Sequence, residues 1–282
     1  MKILKEKNKI TITNLEDFNI NQIFDCGQIF RYWIDSSTAL CVSTNKLCKI
    51  ITSLNKVEIL SQDIDYFENF FDLNTDYSKI KQTLKKDDFL RPCCEFGYGI
   101  RILKQNLFEM IVSFIISANN NIKRIKNSLN YLSEKYGEKK VGIDNIVYYS
   151  FPTLNAFKKI TVEEYKTAGL GYRAEQLYST IQKLNEEDLV NFNNLSTEEK
   201  HKFLLNLKGV GEKVANCIML FTASDFSSFP VDTWIQKVYN HITNTNEQNR
   251  HLIMKILKDK YGDLAGYAQQ YFFYYYRENK LI

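Results

Sequence analysis

Apolar and polar residues alternate in short runs over the first hundred positions, and the period then changes. The runs Lys9–Thr13, Phe30–Ile34, Ala39–Val42, Leu47–Ile51 and Val57–Leu60 are rich in β-branched and aromatic residues and are separated by polar turn residues. Such runs predict a meandering antiparallel sheet. Between the first two lies Asp25-Cys-Gly-Gln-Ile-Phe-Arg31, where Gly27 lets the backbone carbonyl come against a ligand. Two helical patches follow, Asp65 to Phe71 and Tyr77 to Leu84, with apolar residues three and four apart. They are expected to cover one face of the sheet.

From about Asn106 the period is helical, and it stays so. Leu107, Met110, Ile111, Phe114 and Ile115 form a stripe wide enough for a buried helix, which stops at Ser117-Ala-Asn-Asn-Asn-Ile122. The asparagines Asn119 to Asn121 read equally as a capped turn and as a binding loop. A helix from Lys123 to Tyr136, an irregular stretch from Gly137 to Ser150, and a helical segment opening at Phe151-Pro-Thr153 come next. Gly169-Leu-Gly-Tyr-Arg173 is a glycine turn that carries an aromatic and a cation into a helix from Ala174 to Leu184. Those side-chain types suit wedging into a base stack, although a tyrosine packed on a loop has the same sequence. The pattern divides the chain into an antiparallel-sheet region, residues 1–104, and a helical region, residues 105–282, an α+β arrangement.

One stretch in the helical region concentrates chemistry. Ser196-Thr-Glu-Glu199 is a capping box that starts a helix reaching Leu207, and Gly209-Val210-Gly211 then turns the chain into a second helix beginning at Glu212 or Lys213. Backbone N–H groups converge at such a turn and suit a phosphate oxygen. Lys213 lies in the first turn, where the helix dipole is expected to lower its pKa and make it a candidate nucleophile. Cys217, four residues on, shares its face. Asp232 follows Phe229-Pro-Val231 and precedes Trp234, Ile235 and Val238, so it is expected to cap a further helix with its carboxylate at the helix mouth. The segment Gly266 to Arg277 is so aromatic that one face must be core, leaving another free to line a cleft.

Composition narrows the classes. Of 282 residues 44% are apolar and 25% charged, enough for a sizeable core, and the net charge of +4 permits an anionic partner without demanding one. No run of about 18 apolar residues occurs, and Met1-Lys-Ile-Leu-Lys-Glu-Lys lacks a signal core, so a cytoplasmic protein without a membrane partner is expected. The six cysteines have no ligand spacing and are expected to be reduced thiols. The three histidines make no zinc motif, so neither a metal nor a cofactor is expected.

The hairpin with Lys213 and Asp232 resembles the helix-hairpin-helix, Gly/Pro-Asp superfamily of DNA base-excision glycosylases. Further segments narrow the resemblance to the 8-oxoguanine DNA glycosylases. These are the stretch around Gly27, Gly99-Ile-Arg101, Ser113 to Ile122 with Arg124, Gly169 to Arg173, and Gly266-Tyr-Ala-Gln269. The resemblance implies a sheet domain of the TATA-binding-protein type, a helical fold with the helix-hairpin-helix at about 197–223, and a last helix that packs back towards the sheet domain. It implies Lys213 as nucleophile with Asp232 as its supporting carboxylate. Gly27 would accept the N7 hydrogen of 8-oxoguanine, Gln269 would read the Watson–Crick edge, and Cys217 and Phe273 would sandwich the base. Asn119, Arg124 and Arg173 would meet the orphaned cytosine, Tyr172 would wedge the stack, and Gly209, Val210 and Gly211 would hold a phosphate. The implied partner is double-stranded DNA containing 8-oxoguanine, bound by a monomer with no obligate protein partner. The carboxy-terminal cysteines of the iron–sulfur glycosylases are missing, so no cluster is expected. The chain departs from the family at Thr233 and Trp234, where relatives carry a histidine, and at Tyr274-Tyr-Tyr276, where they are small and acidic. Two rival readings share the hairpin: a monofunctional purine-lesion glycosylase that activates water, and a non-catalytic DNA-binding module.

Overall fold

The computed structural model describes residues 1–281. Its first part contains β1 (Lys2–Glu6), β2 (Lys9–Thr13), α1 (Ile20–Asp25), β3 (Tyr32–Asp35), β4 (Thr38–Ser43), β5 (Lys46–Thr52), β6 (Lys56–Leu60), α2 (Ile64–Phe70), α3 (Tyr77–Leu84) and α4 (Leu90–Phe96). The strands make one antiparallel sheet in the order β1-β2-β6-β5-β4-β3. Alternation sets its inner face. Ile10 pairs with Ile59 and Ile12 with Val57, all four buried, and Cys41, Cys48 and Ile50 continue the layer. Ile23 and Phe24 of α1, Phe67 and Phe70 of α2, and Phe71 close over it.

Five predicted strands appear with ends shifted by at most two residues, and β1 is added at the edge. Its five residues are all exposed, which is why no alternation betrayed it. Lys5 on this strand pairs with Asp65 and Glu68, so the open sheet edge carries charge, a common guard against pairing with another chain. The expected cover is half right. α2 lies on the sheet, but Tyr77, Ile80 and Leu84 of α3 face the core of the helical part.

That part comprises α5 (Leu107–Ser117), α6 (Ile122–Tyr136), β7 (Lys139–Val141), β8 (Val147–Tyr149), α7 (Leu154–Lys158), α8 (Val162–Thr167), α9 (Arg173–Lys183), α10 (Glu186–Asn191), α11 (Thr197–Leu205), α12 (Glu212–Phe221), α13 (Thr233–Thr243), α14 (Arg250–Tyr261) and α15 (Ala265–Glu278). α5 is the central helix, buried from Phe108 to Ile116, and it packs on α6, α9 and α12. The stretch read as irregular, residues 137–150, holds the β7–β8 hairpin, and α10 and α14 were likewise not anticipated. α15 runs back against α4, so the last helix meets the first part of the chain. All six cysteines are free and buried. Among the described residues no helix is long and apolar enough to cross a membrane.

Candidate active site

The capping box forms as expected: Ser196 accepts from the Glu199 amide at 3.3 Å, and the Glu199 carboxylate accepts from the Ser196 amide at 2.8 Å. α11 then runs to Leu205, and the turn delivers α12. Gly209 has φ of +88°, and a Cβ there would lie 3.0 Å from Cβ of Gln176. The Lys208 carbonyl accepts from Thr180 at 2.8 Å, which pins the turn to α9. No side chain caps α12 at Gly211, so its first-turn amides stay open to an anion. Gly209→Ala is expected to cost about 1–2 kcal/mol, because the left-handed backbone and the Gln176 contact both resist a Cβ. Urea melts give the loss, and titration of undamaged duplex checks that phosphate binding weakens with it.

Lys213 and Asp232 share one cleft of about 880 Å³. Lys213 leaves the first turn of α12 with its Nζ 5.6 Å from the ring centroid of Phe114. Asp232 caps α13, its Oδ1 accepting from the Ile235 amide at 2.9 Å, as the proline-bearing approach predicted. Two helix N-termini therefore open on one space. Arg124, Lys237 and Arg250 also line it, so four cations face a single carboxylate. Arg250 donates to Gln236 and Thr233, each at 2.9 Å. The indole N–H of Trp234 is buried without a partner. Lys237 and Arg250 were not singled out from sequence, because their places depend on how α13 and α14 pack.

The expected lowering of the Lys213 pKa is not found. Burial opposes the ammonium, but the Cys217 sulfur and the Asp232 carboxylate outweigh it and leave the amine above its ordinary value. Burial in turn pushes the Cys217 thiol up.

The three asparagines divide between the two readings. Asn120 donates to the Ile116 carbonyl at 3.0 Å, and Asn121 caps α6 by accepting from the Arg124 amide at 2.9 Å. Asn119 is exposed in a left-handed conformation, φ of +49°. Arg124 is exposed on the cleft. Tyr172 is 56% exposed and its hydroxyl donates to the Ala118 carbonyl at 3.3 Å. Arg173 is buried, donating to the carbonyls of Ala118, Asn119 and Leu170 at 2.6, 2.5 and 3.3 Å. It clamps the asparagine loop to the glycine turn.

Of the remaining candidates, Gly27 and Phe273 touch each other. Gly27 has φ of +81°, and a Cβ there would lie 3.3 Å from Cε1 of Phe273. No protein hydrogen bond reaches the Gly27 carbonyl among the described residues. Gln28 stitches this turn in place, donating to the carbonyls of Ile23 and Arg101 at 2.9 and 2.7 Å and accepting from the Leu103 amide at 2.8 Å. Cys217 and Gln269 are buried, and Gln269 accepts from the Gln270 amide group at 2.7 Å. Phe273 rests on Gly27.

Comparison with known proteins matches two adjoining stretches of the chain. The model of the 8-oxoguanine DNA glycosylase N-terminal domain matches residues 10–111, and that of the HhH-GPD superfamily of base excision DNA repair proteins matches residues 112–262. The crystal structure of the Clostridium acetobutylicum 8-oxoguanine glycosylase/lyase, in complex with double-stranded DNA containing cytosine opposite 8-oxoguanine, is 36% identical, with a TM-score of 0.91 over 99% of each chain. The N-glycosylase/DNA lyase of Arabidopsis thaliana is 29% identical over 85% of this chain and 66% of its own length. The probable N-glycosylase/DNA lyase of Methanothermobacter thermautotrophicus is 27% identical over 79% of this chain and 77% of its own. From the sheet region through the hairpin, this chain belongs to the 8-oxoguanine DNA glycosylase family of the helix-hairpin-helix, Gly/Pro-Asp superfamily.

Proposed function

We propose that this protein removes 8-oxoguanine from duplex DNA and then cuts the strand at the resulting abasic site, using Lys213 for both steps. The observation that carries this reading is the pairing of Lys213 with Asp232 at two helix N-termini in one cation-lined cleft. Amides at the start of α12 and the cations of the rim hold backbone phosphates. The damaged nucleotide leaves the stack, at a cost of roughly a few kcal/mol. Phe273 must then lift from Gly27 so that the base can lie between it and Cys217.

As the base departs with the electrons of its glycosidic bond, positive charge grows on the sugar. Asp232 stabilises that charge, and the neutral amine of Lys213 forms a bond to C1′. Loss of the ring oxygen from C1′ gives a protonated imine. A proton then leaves C2′, and its electron pair expels the 3′ phosphate in β-elimination. The monofunctional alternative gives Asp232 a water to activate and leaves Lys213 idle.

The test is borohydride trapping on a labelled duplex with one 8-oxoguanine opposite cytosine. A covalent adduct is expected. Alkali-labile sites without an adduct make water the nucleophile, and bound but intact DNA points to another lesion or to a binding module.

Opposite-base recognition falls to Asn119 and Arg124, whose side chains are free, while Arg173 positions their loop. Wild type is expected to act faster opposite cytosine than opposite adenine. Arg124→Ala should forfeit about 1–3 kcal/mol of that preference, read as the ratio of single-turnover rates. Equal rates opposite cytosine and adenine in wild type would sink the assignment.

A further inference from the structure

Arg277 reaches the Gly27 turn from the last helix, 252 positions away. One terminal nitrogen, Nη2, donates to the Asp25 carbonyl and pairs with Glu278 at 2.8 Å, and Nε donates to the same Glu278 oxygen at 2.8 Å. The guanidinium carbon lies 5.0 Å from the Phe273 ring centroid and 5.8 Å from that of Tyr274. The other terminal nitrogen, Nη1, is buried and has no partner. It lies 4.0 Å from the point a Cβ on Gly27 would occupy. A buried guanidinium N–H left unpaired is costly, so the group is held for an acceptor that arrives from outside.

We infer that Arg277 is a specificity-determining residue, whose Nη1 donates to the C8 oxygen of the oxidised purine while the Gly27 carbonyl accepts from N7–H. This rests on the functional reading above. Among the described residues, an acceptor without a partner is on Gly27 and a donor without a partner lies 4.0 Å from the position of a Cβ on Gly27. The imidazole edge of 8-oxoguanine presents the opposite pair, N7–H beside C8=O. Guanine presents a lone pair at N7 and a C–H at C8, which matches neither. The same guanidinium lies against Phe273, one of the two residues proposed to sandwich the base.

The test compares single-turnover excision of 8-oxoguanine and 8-thioguanine opposite cytosine, in wild type and in Arg277→Leu. Both bases keep N7–H, but sulfur is a much weaker acceptor than oxygen. Wild type should favour 8-oxoguanine, and Arg277→Leu should lose roughly 10–100-fold of that preference, the range expected for one charge-assisted hydrogen bond. A preference unchanged by the substitution overturns the inference and leaves Arg277 as a brace for the turn. Wild-type protein that releases neither base from trapped-competent DNA overturns the functional reading itself, and the wild-type rates alone tell the two failures apart. Thermal melting monitors folding. If Arg277→Leu does not fold, Arg277→Lys, which keeps the cation but loses the planar fork, is read by the same ratio.

Discussion

Lys213→Gln is expected to abolish the borohydride-trapped adduct and to lower strand cleavage at 8-oxoguanine by at least about 10³-fold, the scale on which lone nucleophiles are lost. Glutamine keeps the length and polarity of the side chain, so the cleft and its cations remain, and duplex binding should stay near wild type. The covalent chemistry cannot survive, because an amide nitrogen does not form an imine. Retention of adduct in the variant would move the nucleophile elsewhere. The pH profile adds an independent readout. In the proposed mechanism the free amine attacks, and Lys213 sits above its ordinary pKa, held there against burial by Cys217 and Asp232. Trapping on a preformed abasic site should therefore climb with pH and level off only above the Lys213 pKa. Asp232→Asn removes one of the charges that favour the ammonium, so the rising limb should shift to lower pH even as the plateau falls.

Arg101→Leu should cost about 3–5 kcal/mol of stability. Arg101 is fully buried, and its guanidinium lies 4.0 Å from the Tyr77 ring centroid. It donates to the carbonyls of Phe71, Asp17 and Thr75 at 2.9, 3.0 and 3.0 Å, and also to that of Asp72. Leucine fills part of the space but takes the side-chain donor from the carbonyls of Phe71, Asp17 and Thr75, while that of Asp72 keeps the Thr75 amide at 3.2 Å. Lysine repairs little, since a single ammonium cannot fan out as a planar fork does. Denaturant midpoints give the loss directly, and a cost under about 1 kcal/mol would show that water fills the role. A functional effect should accompany it. The Arg101 carbonyl accepts from Gln28 at 2.7 Å, next to the Gly27 turn, so excision should fall further than cleavage of abasic sites does.

What was legible in the sequence was local. Alternation located five strands, Ser196 and Glu199 announced α11, and the proline before Asp232 marked a helix cap, each within a few residues of chain. What was not legible depended on neighbours distant in sequence. β1 carries no alternation because neither of its faces is buried. The place of α3 follows from α4 and α15, and the Lys213 pKa from burial set against Cys217 and the Asp232 carboxylate of another helix. Arg173 read as a cation at a loop tip, whereas folding turns it inward against the carbonyls of Ala118 and Asn119. Nothing in the run of tyrosines before Arg277 points to the Asp25 carbonyl it holds.

The contact of α15 with the Gly27 turn also sets an order of synthesis. Lys213 and Asp232 leave the ribosome well before Ala265, while Gly27 waits for a wall from α15, made after every other element described above. A chain stalled between α14 and α15 would carry the amine and its carboxylate without Gln269, Phe273 or Arg277. The residues proposed for the chemistry are thus encoded ahead of those proposed for selectivity, which join the nascent protein only when translation of α15 is done.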